Sequence, residues 1–345
     1  MDSVESFIWL KRRKLFESCR RYAPRLKVVF AECLKPEDDV LIIGDKGFLG
    51  REIAPVYCGG CFLAARSLNF NVKLVLQNDD TEVCRALEQL RPGGVVVLGL
   101  SERLGRINNK SFRRFCQERR LRFASTPSLG ALATNKINVL VDAINVDYKQ
   151  ELYVHGLVKR MLDYGEHVHI TTKAGTNLHV GIKGCMAVSS AGVYLKEGEG
   201  GNLPGGEVFI APAKKQVEGR VVVDASSRNR DTTVLVKKPI IIDIENGEVV
   251  RIEGKEADLL RKSIEDAERT GKPDWGVRRV GELGIGLNPK AKLSGSMIID
   301  EKVSKTAHIA IGSNNWFGGG VWASIHLDQV FKNPKIKVDG REIKV

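Results

Sequence analysis

The chain has 345 residues, 43% hydrophobic and 28% charged, a composition that excludes a disordered protein. At about 150 residues per domain, the length predicts two domains whose cores need neither metal nor disulfide to fold. The net charge of +12 gathers at Lys11–Lys14, Arg20, Arg21, Arg25 and Arg103–Arg122, but no nucleic-acid-binding motif accompanies it, so no specific nucleic acid is expected.

Residues 1–34 read as one basic amphipathic helix, with Phe7, Leu10, Leu15, Tyr22, Leu26 and Phe30 on its apolar face. Strands are predicted at Asp39–Gly44, Val72–Gln77, Val95–Leu100 and Leu121–Ala124, alternating with helices to about Leu68, at 81–90 and at 108–120. That alternation predicts a doubly wound parallel sheet, a Rossmann-like α/β domain over residues 1–147. One more helix is predicted at 150–165. Beyond it the chain turns to short β segments, with hairpins at Ala174–Asn177, Asn246–Gly247 and Asp339–Gly340 and a helix at Lys255–Arg269. This predicts a β-rich α+β catalytic domain over residues 148–345. The longest apolar runs are too short to span a bilayer. The stretch Met1–Lys14 lacks the pattern of a secretory signal. A cytoplasmic protein without a membrane partner is therefore expected. Seven cysteines, five of them isolated, suit reduced thiols.

Two motifs in the first half suggest chemistry. Gly44, Gly47 and Gly50 follow a predicted strand, and such a turn could cradle a dinucleotide pyrophosphate, with Asp79 or Asp80 on a ribose hydroxyl. No tyrosine has a lysine four residues on, so the preferred reading is a packing turn. Cys58 and Cys61 form a C-x-x-C inside the predicted helix after Pro55. No second pair exists to complete a zinc ribbon, and two buried thiols near a kink are expected.

The second half sets acids and imidazoles in apolar or glycine-rich frames: Glu207, Glu282, His308, His326 and Asp328. A His-x-Asp on a strand puts His326 and Asp328 on one face. Two imidazoles and a carboxylate make a reasonable metal set, and Glu207 and Glu282 would suit a second cation. The alternative is hydrogen-bonded structural histidines and turn-capping acids. His167 and His169 share a strand face with His179 across a hairpin, but no carboxylate shares that frame, so a solvated or packed group is expected there. His155 reads as a surface helix residue. No nucleophile elbow, His-Glu-x-x-His or P-loop occurs.

At NLPGGEVF (202–209), Val217–Gly219, GELGIGLNP (281–289), AHIAIG (307–312), IHLD (325–328) and VDGREI (338–343), the chain resembles the thermophilic metallo-aminopeptidases of the aminopeptidase T and S type. The resemblance implies a two-metal centre held by Glu207, Glu282, His308, His326 and Asp328, and a homo-oligomer, dimer or higher. Where that family has a catalytic Tyr, this chain has Asn315, expected to offer a hydrogen bond in its stead. The leading expectation is a metal-dependent hydrolase that cleaves a small peptide or amide with a metal-activated water, using one or two Zn, Co or Mn ions. Glu282 would bridge the metals and Glu207 would act as ligand or proton acceptor. The superfamily also contains 2,5-dihydroxypyridine dioxygenases. The alternative is therefore a mononuclear Fe(II) ring-opening dioxygenase using His308, His326 and Asp328. A non-enzymatic nucleotide- or nucleic-acid-binding protein is the third reading.

Overall fold

The structure is a computed structural model that describes residues 3–36, 39–77, 80–102, 107, 109–272 and 275–344. It divides into two compact units, Met1–Tyr148 with Gly192–Gly205, and Lys149–Ala191 with Gly206–Val345.

The first unit is built on a parallel five-stranded sheet in the order Asn71–Gln77, Asp39–Asp45, Val95–Gly99, Arg122–Thr126, Gly200–Asn202. Val, Leu and Ile fill these strands because helices cover the sheet. The expected single N-terminal helix is two, Ser3–Arg12 and Phe16–Val28, followed by a π-helical turn at Val29–Leu34. The break falls at Lys14, whose φ of 58° cannot continue a helix. The helix Ile137–Ile144 was not expected, although Ile137, Leu140, Val141 and Ile144 recur at helical spacing and are among the residues it buries. Nor does the sequence reveal that residues 192–205 return to this unit. Their strand is Gly-Gly-Asn, without a single β-former.

The glycine turn is satisfied from within. The Asp45 carboxylate accepts the Gly47 N–H at 2.9 Å and both the N–H and Oγ–H of Ser101 at 2.7 Å. An acid in that position opposes a pyrophosphate. A Cβ on Gly44 would lie 2.7 Å from Cys58 Sγ, so this glycine lets helix and strand approach. The following helix begins only at Ile53. Asp79 and the Arg103 end of the basic run lie outside the described residues, as does the side chain of Asp80. Pro55 falls in the first turn of Ile53–Ser67, where a missing N–H costs nothing. Cys58 and Cys61 therefore sit in a continuous helix, not beside a kink. Both are buried, and burial pushes both thiols well above the ordinary range.

The second unit holds two seven-stranded antiparallel sheets. One runs Glu248–Glu253, Ile240–Glu245, Val217–Val223, Asn177–Gly181, His167–Thr171, Lys335–Val338, Arg341–Glu342. The other runs Thr233–Leu235, Ser226–Arg228, His326–Lys332, Thr306–Gly312, Val280–Gly286, Glu207–Ile210, Val188–Ser190. All three expected hairpins form. One continuous core joins Val168, Ile170, Leu178 and Val221 of the first sheet to Val208, Leu283, Ile285, Ile309 and Phe331 of the second. Helix Asp258–Thr270 adds Leu260, Ile264 and Ala267 to it. Each Val, Leu, Ile or Phe among these, fully buried, contributes about 1.5–3 kcal/mol. No helix among the described residues is long and apolar enough to cross a membrane.

Candidate metal centre

The second sheet carries all five acid and imidazole candidates on adjacent strands. Glu207 pairs with Gly286, His308 with Gly284, Glu282 and Asp328 each with Ala310, and His326 with Gly312. Directly paired residues point to the same side, so the five side chains share one face. Each is opposed on one side by glycine or alanine, which leaves room for carboxylates and rings to converge, while Val330 and Ser190 stand opposite His308 and Glu207 on the other side. On the other face the same strands present Val208, Leu283, Ile309 and Leu327 to the core.

A bulge makes this possible. Val280 pairs with Ile311 but Glu282 with Ala310, so Gly281 is one residue extra. Without it, Glu282 would point to the core with Val280. Only glycine fits there, since a Cβ would lie 2.3 Å from the Gly312 carbonyl.

The groups form two sets that share Glu282: Glu207, Glu282 and His308, and Glu282, His326 and Asp328. His308 Nε2 lies 3.1 Å from Glu282 Oε1 and 3.7 Å from Glu207 Oε2, while His326 Nε2 lies 3.6 Å from Glu282 Oε2 and 3.2 Å from Asp328 Oδ1. Each oxygen of Glu282 thus faces a different imidazole. His326 Nδ1 donates to the Ser313 carbonyl at 2.7 Å, which aims Nε2 at the carboxylates. Glu207 Oε2 is buried without a hydrogen-bond partner among the described residues. Imidazole and carboxylate donors, one ring fixed from behind and one carboxylate oxygen left open, fit a divalent transition cation.

The electrostatics follow from burying these charges together. Burial would lower the His308 imidazolium, but the hydrogen bond to Glu282 and the nearby carboxylates raise it to about 9. His326 is likewise disfavoured by burial yet lifted to about 10 by Asp328 and Glu282. Burial works to raise Asp328, but the His326 charge and hydrogen bond bring it down to about 2. Glu207 is raised by burial to about 7, against the pull of Lys302.

Lys302 and Glu301 are the members that the sequence did not reveal. The Lys302 ammonium is fully buried and bonds both Glu207 and Glu301. Burial alone would deprotonate it, but the two carboxylates outweigh that and hold its pKa above the ordinary range. Glu301 itself is raised by burial. The pair sits in a turn just after the helix Met297–Asp300, where charged residues ordinarily face water.

Asn315 lies in the short turn Asn315–Phe317, and its Oδ1 accepts from Ser313 Oγ at 2.6 Å. No hydrogen bond among the described residues joins it to the five donors. It reaches them only through Ser313, which holds His326. Its neighbour Trp316 stands edge-on to the His326 ring, with centroids 5.9 Å apart, and remains 54% exposed. Phe209 and Phe317 pack against that indole. Phe317 also lines a cavity of about 600 Å³ together with Asn314, Arg279, Lys214, Lys215 and Trp322.

His155 is not on the surface. It is 1% exposed, with Nδ1 3.0 Å from Ser189 Oγ and Nε2 3.4 Å from the buried Glu151.

The family model NicX, 2,5-dihydroxypyridine 5,6-dioxygenase, matches residues 149–345, more than half of the chain. The chain belongs to this family. A 2,5-dihydroxypyridine 5,6-dioxygenase of Pseudomonas putida is 25% identical over 196 residues, covering 53% of this chain and 54% of that protein. Aminopeptidase T of Thermus aquaticus is 28% identical over 185 residues, covering 48% of this chain and 43% of that protein. The chain thus matches about half the length of these relatives. The solved dioxygenase of P. putida KT2440 has the same fold, with a TM-score of 0.71 at 19% identity over 94% of this chain and 95% of that one. So does AmpT of Thermus thermophilus, with a TM-score of 0.63 at 15% identity over 94% and 99%. The NicX family and aminopeptidase T therefore belong to one superfamily, whose members are enzymes named for two different reactions.

Proposed function

We propose that the chain is a mononuclear Fe(II) ring-opening dioxygenase acting on a hydroxylated aromatic ring such as a dihydroxypyridine. This reverses the order of the two readings drawn from the sequence. The observation that carries it is the half-exposed Trp316 set edge-on to His326, with Phe209 and Phe317 behind it. An aromatic wall beside metal donors suits a flat ring, which stacks on it without losing side-chain entropy. The family match supports the same reading, as does Asn315 where an aminopeptidase would carry a hydroxyl for the oxyanion.

In this reading His308, His326 and Asp328 would hold the ion, gathered around the Glu282 carboxylate that both sets share. A ferrous ion held there would supply the electron-transfer chemistry that lets dioxygen react with the ring. Ser313 keeps the His326 ring oriented. Glu282, set between the two imidazoles, takes the proton of a ring hydroxyl as the substrate binds. Trp316 and Phe209 hold the ring and exclude water from one side. Lys302 neutralises Glu207, so that the site does not carry a further unpaired carboxylate.

A two-cation amide hydrolase is the second reading, and one observation favours it: the two oxygens of Glu282 face different imidazoles, as a bridging ligand would. The test is oxygen uptake. Protein loaded anaerobically with Fe²⁺ is given 2,5-dihydroxypyridine. Uptake of one O₂ per ring opened, lost in His308→Ala, is expected. No uptake, together with release of aniline from aminoacyl anilides after loading with Zn²⁺, Co²⁺ or Mn²⁺, would overturn the proposal in favour of the hydrolase.

A further inference from the structure

On the other sheet of the second unit, three histidines stand together. His167 and His169 lie on the strand His167–Thr171, and His179 on its partner Asn177–Gly181, with His179 directly opposite His169. The rings of His169 and His179 stack with centroids 4.2 Å apart and an interplanar angle of 9°. His169 Nε2 is tied to Asn177 Oδ1 at 2.8 Å. The stack turns His179 so that its Nδ1 faces His167 Nε2 at 3.2 Å.

We propose that His167 and His179 chelate a divalent transition cation of the imidazole-binding class, such as Zn²⁺ or Cu²⁺, at a site separate from the five-donor centre. The geometry matches a chelate. Two nitrogens at about 2.0–2.1 Å from a tetrahedral ion lie about 3.3 Å from each other, and the two rings already stand at that separation. Both side chains are exposed, so an ion can enter and water can complete its shell. The sequence offered no carboxylate to this group, and the sheet places one nearby on the same face. Glu218, on the strand Val217–Val223, is directly opposite His179 on the same face. Its Oε1 accepts the Asn246 N–H at 2.6 Å, so the carboxylate adds negative charge to this face of the sheet rather than a third donor atom. His169 is the positioning residue rather than a ligand. Its Nε2 is engaged by Asn177, and Lys337 stands opposite it on the next strand, where the ammonium repels a cation. Imidazole with few other donors selects the later first-row ions over Mg²⁺ or Ca²⁺.

The test counts sites. Full-length protein is stripped with chelator and titrated with Zn²⁺ against a chromophoric chelator. Wild type is expected to bind one equivalent more than His179→Ala or His167→Ala. Those variants should retain the binding that His308→Ala loses, and His308→Ala should retain theirs. Thermal unfolding of the chelator-treated variants checks that the exposed substitutions leave the fold intact. Equal stoichiometry and affinity in wild type, His167→Ala and His179→Ala would overturn the proposal. So would loss of this equivalent in His308→Ala alone.

Discussion

Gly284 lies directly opposite His308, and a methyl group on its α-carbon would sit 2.2 Å from the imidazole Nε2 and Cε1. The glycine is the floor on which the ring rests. Gly284→Ala should therefore move the ring while sparing the rest of the sheet. The strain is of the order of 1–3 kcal/mol, and metal affinity should fall about 10–100-fold, as when support behind a ligand is lost. Metal content after dialysis and thermal unfolding of the stripped protein separate the two effects. Wild-type metal retention would show that the imidazole does not hold the ion.

Metal binding should depend steeply on pH. In the metal-free chain His308 and His326 keep their protons to about 9 and 10, and a cation must displace both. Affinity should rise with pH, by up to two decades per unit below about pH 9, and level off near 10. The sign for stability is opposite. Both folded pKa values lie above the ordinary imidazole range, so the stripped protein gains stability that is fully present below about pH 6.5 and lost as pH rises through 9 to 10. Chelator competition and denaturant unfolding across pH 6–10 read the two trends. A flat affinity profile would remove the histidines from the ligand set.

Lys302 should be the most costly single charge to remove. Lys302→Met leaves Glu207 and Glu301 buried together without a cation. Breaking such a pair costs about 3–5 kcal/mol. The variant can recover part of this by protonating the acids. Carboxyls raised in the folded state favour folding at low pH and lose that contribution as pH rises, so the gap to wild type should widen from pH 5 to pH 8. Urea unfolding at the two values measures it. A gap that does not change with pH would mean that the acids are not both ionised beside Lys302.

The five side chains that cluster could be picked out because their motifs follow one another in the order of a recognisable family, and His326 and Asp328 also because a His-x-Asp on a strand shares one face. Their convergence was less legible. Register between strands, and the bulge at Gly281 that turns Glu282 outward, are set by pairing partners far along the chain. Lys302 escaped notice because burial of an ammonium depends on two carboxylates that are not its sequence neighbours as a pattern: Glu207 is distant, and Glu301 is merely adjacent. The parallel strands of the first unit were visible as apolar runs between helices. Its edge strand Gly200–Asn202 was not, since Gly-Gly-Asn has no apolar or β-branched side chain to mark a strand.

His155 gives the last prediction, and it concerns the frame rather than the chemistry. A histidine 1% exposed on helix Tyr148–Tyr164 joins that helix to the edge strand Val188–Ser190 through Ser189 Oγ, with Glu151 one turn back. That strand pairs with Glu207–Ile210, placing Ser190 opposite Glu207. His155→Ala removes the ring, opens a cavity and leaves Glu151 buried without its neighbour. The expected loss is about 2–4 kcal/mol. Ser189→Ala keeps the ring and the packing and should lose only about 1 kcal/mol. The ratio between the two is the informative quantity. If both variants unfold at the same denaturant concentration, the ring contributes only its hydrogen bond to Ser189. If His155→Ala alone is severely destabilised, helix and strand are held together by the buried ring and its carboxylate, and the strand bearing Glu207 depends on that clamp.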